Sequence, residues 1–117
     1  MADIIDKYYQ GEKVLVEIPV TLVDGSPLLF TDMTVVEVDV VDRLKNKVTQ
    51  KTKALTTVVE GTVTNALQFE LTEADMNLLQ VGDIYAIVLI KFVNSNFSGN
   101  EAVAKFVTKI FELKDDH

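Results

Sequence analysis

The sequence predicts an all-β domain: a β-sandwich of about seven strands with one short helix. Three observations carry that expectation. Valine, isoleucine and threonine dominate the chain, and their branched Cβ atoms suit a pleated, half-buried surface. Apolar residues recur with period two, which divides successive side chains between two faces. Strand-like segments follow one another at intervals of roughly eight to twelve residues, with turn signals between them. A small closed barrel is the rival arrangement.

The first strand lies within residues 12–23. Val14, Val16, Ile18, Val20 and Leu22 point one way, while Leu15, Glu17, Pro19, Thr21 and Val23 form a mixed face. Proline cannot donate to a ladder, so Pro19 places this strand at an edge or a bulge. Asp24-Gly25-Ser26-Pro27 then reverses the chain, Asp-Gly tolerating positive φ and proline stiffening the exit. A second strand spans 34–41, with Val36, Val38 and Val40 opposite Glu37 and Asp39. Leu44-Lys45-Asn46-Lys47 is a polar turn. The Thr- and Lys-rich segments 48–53 and 55–60 are peripheral strands, and the lysines of the first discourage edge-to-edge pairing.

After Glu60-Gly61, alternation resumes over 62–71 through Val63, Leu67, Phe69 and Leu71. Residues 72–79 carry the one helical signal. Thr72 can cap it, Glu73 and Asp75 suit the positive end of the helix dipole, and Gly82 can end it. The segment 83–93 is the most apolar. Ile84, Ala86, Val88, Ile90 and Phe92 alternate with Tyr85, Ile87 and Leu89, so both faces are apolar and the strand belongs at the centre of a sheet. A flexible Asn/Ser/Gly loop over 94–100 leads to a last strand at 101–113 and an acidic tail.

The 117 residues suit a single domain, 1–117, with an N-terminal arm at 1–11 and a disordered tail at 114–117. Cysteine is absent, which removes disulfides, thiolate nucleophiles and thiolate zinc sites together. Eleven basic against eighteen acidic residues give a net charge of −7, an unfavourable balance for tracking phosphates. Neither a nucleic-acid nor a membrane partner is therefore expected. The acidic start and the lack of a long apolar run predict a soluble chain without a cleavable signal.

A non-enzymatic role is also expected. Ser26, Ser95 and Ser98 fall in turns, and the single imidazole is on terminal His117, where a base lacks rigid support. Asp24 with Asp32, and Asp39 with Asp42, read as parts of a solvated acidic face rather than as paired catalytic carboxylates. No cofactor is expected, because the chain has neither EF-hand spacing nor a glycine-rich phosphate nest. Two features remain as contact sites. Ile4, Ile5, Tyr8 and Tyr9 form an arm that either docks on a neighbouring subunit or folds back on its own sandwich. Phe97 sits at the tip of the flexible loop, where it either meets a partner or covers an open sandwich end.

Three local patterns resemble a known family. They are the alternating strand running into Asp24-Gly25-Ser26-Pro27-Leu28-Leu29-Phe30, the valine strand after it, and Leu79-Gln80-Val81-Gly82-Asp83-Ile84-Tyr85 leading into the central strand. In this order they are similar to the immunoglobulin-like domains of bacteriophage tail and baseplate structural proteins, in particular the N-terminal domain of the baseplate upper protein type. The resemblance covers residues 14–111. It implies an immunoglobulin-like Greek-key β-sandwich in which Tyr85 makes a tyrosine corner. It further implies a virion protein of the tail, baseplate, neck or head, made in the host cytoplasm, that contacts other virion structural proteins and forms homo-oligomers. A ligand- or carbohydrate-binding adhesion module of immunoglobulin-like fold is the alternative.

Overall fold

The computed structural model describes residues 7–115. Those residues form eight strands, one α-helix and two short 3₁₀ turns. The strands are β1 (Lys7–Tyr9), β2 (Val14–Pro19), β3 (Met33–Val41), β4 (Lys51–Thr52), β5 (Val59–Glu60), β6 (Ala66–Leu71), β7 (Gly82–Val93) and β8 (Glu101–Lys114), with α1 at Glu73–Asn77. They assemble into a five-stranded sheet of order β1-β8-β7-β3-β4 and a three-stranded sheet of order β2-β6-β5. All pairings are antiparallel except β1 with β8. The buried faces of both sheets share one core, an arrangement compatible with an all-β sandwich.

Period-two patterning sets which side chains enter that core. Val14, Val16 and Ile18 of β2 meet Leu67, Phe69 and Leu71 of β6 in register, and all six are buried. Opposite them lie Val36, Val38 and Val40 of β3 and Ile84, Ala86, Val88 and Ile90 of β7. Two irregularities reset the alternation. One falls between Met33 and Val35, and the other lies opposite Ile84 and Tyr85, bringing Phe111 and Leu113 of β8 inward.

Several expectations meet a structural counterpart. Pro19 lies on β2, which is an edge strand. Gly25 has φ 91° in a turn closed by hydrogen bonds between Leu22 and Ser26 (2.7 Å) and between Gly25 and Leu22 (2.8 Å). Strand β7 is central in its sheet.

Other expectations are corrected. The segments 48–53 and 55–60 contribute only two ladder residues each. Lys51 and Lys53 do not guard an open edge. Lys51 Nζ donates to Asp75 (2.8 Å), while Lys53 Nζ donates to the carbonyls of Phe30 and Met33 and lies over the Phe30 ring. The shortness of β4 is what limits pairing there. Helix α1 stops at Asn77, and Gly82 opens β7 instead of ending the helix. Lys114, assigned to a disordered tail, is the last residue of β8, held by pairing with Tyr9 and by its carbonyl accepting from Gln10 N–H (3.2 Å).

Candidate interaction surface

The outer face of the five-stranded sheet carries apolar residues that the domain's own core leaves uncovered. On β7 this face carries Tyr85, Ile87, Leu89, Lys91 and Val93. Register places Val41, Asp39, Glu37 and Val35 of β3 on one side and Lys109, Val107, Lys105 and Val103 of β8 on the other. Strand β7 is central, as its two apolar faces predicted, but a central place does not bury both of those faces. The inner set is buried, whereas Tyr85, Ile87 and Leu89 are only half-buried by their neighbours. Val107 is 61% exposed and Val103 58%. Val41, Tyr85, Ile87 and Val107 line a shallow hollow of about 450 Å³, bordered by Arg43 and Lys45. Burying one such aliphatic side chain fully yields about 1.5–3 kcal/mol relative to exposure, so the face has unspent hydrophobic free energy.

Two buried carboxylates brace the margins of this sheet. Asp42, 3% exposed, follows β3. Its Oδ1 accepts from the backbone N–H of Leu44 (2.8 Å) and of Asn46 (3.0 Å). Its Oδ2 accepts from the Asn46 side-chain amide (2.9 Å) and from the Gln80 backbone N–H (2.8 Å). Burial opposes its ionisation, but these donors outweigh burial and hold the carboxyl below its ordinary value of 3.8. Asp42 therefore staples the turn after β3 to the segment ahead of β7, and the expectation of a solvated carboxylate is corrected. Asp75 does the same for α1. It forms a capping box with Thr72 and an ion pair with Lys51 (2.8 Å). Burial again opposes ionisation, and Lys51 with the Thr72 backbone N–H lowers the carboxyl below 3.8.

The tyrosine corner implied by the resemblance does not form among the described residues. Alternation turns Ile84 inward and Tyr85 outward beside Lys109, and the Tyr85 hydroxyl has no hydrogen bond among the described residues. Asp42, accepting from Gln80, ties down that connection in its place.

Of the contact residues singled out in the sequence, Tyr8 and Tyr9 lie apart from Phe97. Ile4 and Ile5 lie outside the described residues. Tyr8 folds back on its own domain, its ring edge-on to Phe111 at 5.2 Å, in the parallel β1–β8 pairing. Tyr9 stays 51% exposed. Phe97 is 54% exposed at the other end of β8, beside Val23, Phe92 and Val103. Of the residues weighed for chemistry, Ser26 is engaged by Asp24 Oδ1 (2.6 Å), and His117 lies outside the described residues. Among the described residues no three His, Cys, Asp or Glu side chains gather as a metal site, and no helix is long and apolar enough to cross a membrane.

The outer sheet face itself was missed at the sequence level. Its signal was present in the run Tyr85-Ala86-Ile87-Val88-Leu89, which was used only to place the strand at the centre of a sheet. No family model matches the chain, and no curated protein or solved structure is significantly similar to it.

Proposed function

We propose that this chain is a non-enzymatic assembly protein, an immunoglobulin-like subunit of a bacteriophage virion that acts through protein–protein contact. The observation that carries the reading is the uncovered apolar face built on Tyr85, Ile87 and Leu89. A face of this kind serves contact with another protein surface, because burying it is the favourable process left open to the folded domain.

The strand order supports the immunoglobulin-like part of the reading. The order β2-β6-β5 corresponds to strands B-E-D of that fold, and β4-β3-β7-β8 to C′-C-F-G. The use of Asp42 and Asp75 as structural staples supports a role without chemistry, since their oxygens are engaged by backbone and lysine donors. The virion assignment rests on the resemblance over residues 14–111.

Quantitative mass spectrometry of purified phage particles from the source of the sequence tests it. The reading predicts the chain at a fixed copy number per particle, retained after washing in high salt. Its presence only in the soluble fraction of the infected cell would overturn the virion role.

A further inference from the structure

We infer that the outer face of the five-stranded sheet pairs with the same face of a second copy of this chain, about a two-fold axis running close to β7. This deepens the assembly reading above and rests on it for its biological setting, while its physical argument is independent. The face is divided by charge: β3 contributes Glu37 and Asp39, β8 contributes Lys105 and Lys109, and the apolar β7 stripe runs between them.

A two-fold axis along β7 carries β3 of one copy over β8 of the other and keeps each residue at its level along the strands. Glu37 and Lys105 share one level, since both are in register with Leu89. Glu37 of each copy therefore meets Lys105 of the other, twice per dimer. On the axis, Tyr85, Ile87 and Leu89 meet their own counterparts. Lys109 faces Val41 across the interface, its charge already matched by Asp83 at 3.1 Å. Asp83 and Lys91 are the like-charge meetings on the axis, one at each end of the stripe; Asp83 is paired with Lys109, and the long stem of Lys91 can carry its ammonium to water. An axis perpendicular to the strands would instead set acidic β3 against β3 and basic β8 against β8.

Dimensions agree with a modest dimer. Three strands about 4.8 Å apart and roughly nine residues long give a face of about 30 by 15 Å, burying on the order of 1,000 Å² in total. That is the lower end for a specific pair, the size class of weak and transient contacts.

Sedimentation equilibrium of the isolated full chain tests the pairing. The wild type should dimerise with a midpoint of tens of micromolar, to order of magnitude. Glu37→Lys and Lys105→Glu each turn two attractive meetings into repulsive ones and should weaken the dimer about tenfold. Combined in one chain, they should restore it to within about threefold of wild type. Lys91→Met should tighten it. Within one chain Glu37 and Lys105 are separated by β7, so the reciprocal rescue has no intramolecular explanation. A wild type that stays monomeric up to about 300 μM, or a double variant no tighter than either single one, overturns the inference. A chain monomeric in isolation yet incorporated into particles would overturn the inference alone. A dimer missing from particles would overturn the virion role alone.

Discussion

At Asp42 two oxygens receive four donors, three of them backbone N–H groups, and one of those comes from Gln80, far along the chain. Replacing it by alanine orphans these donors in a site closed to water. Asp42→Ala should therefore cost about 3 kcal/mol, read as a fall in urea midpoint without change of slope. An unchanged midpoint would mean that the staple is dispensable. Asp42 and Asp75 also set an acid limit on stability. Both titrate below 3.8 when folded, so the unfolded chain takes up protons first. Their contribution is full above 3.8 and is lost as pH falls from there through the lower folded values. Urea midpoints measured from neutral pH down to about pH 2.5 should stay level and then drop below about pH 4. A flat profile across that range would contradict the assignment.

Among the elements, β7 depends on how it begins. Gly82 has φ 129°, a conformation that L side chains rarely adopt, and a Cβ there would lie 3.3 Å from Arg43 Nε. Gly82→Ala should destabilise by about 1–2 kcal/mol in the same urea assay, whereas an exposed change at Leu15 should have little effect. The strands and α1 were legible in the sequence because they rest on local pattern. Val36-x-Val38-x-Val40 alternates, Asp24-Gly25 turns, and Thr72-x-x-Asp75 caps. What was not legible depends on distant partners. Lys51 was read as an edge guard because Asp75 lies 24 positions away. Asp42 was read as solvated because Gln80 lies 38 away. The Asp42–Asn46 spacing, an aspartate followed by the turn donors it accepts from, was the one local hint of that staple. Tyr8 was left between two roles until Phe111 gave its ring a partner.

For the whole molecule, the two sheets differ in what they leave exposed. The outer side of β2 and β6 offers Leu15, Glu17, Gln68 and Glu70, with Glu17 bound to Thr62 and Gln68. The outer side of β7 offers a continuous apolar stripe between an acidic and a basic strand. A sheet with polar residues alternating on its solvent side is complete by itself; one with apolar residues there is complete only when covered. The proposed contact function therefore lies on one face of one sheet. The most direct measurement is incorporation into phage particles, by mass spectrometry, of Leu89→Asp set beside Leu15→Asp, with urea midpoints establishing that both fold. Leu15→Asp should enter particles like wild type, and Leu89→Asp should be lost from them. Equal incorporation of the two folded variants would contradict the proposed contact function.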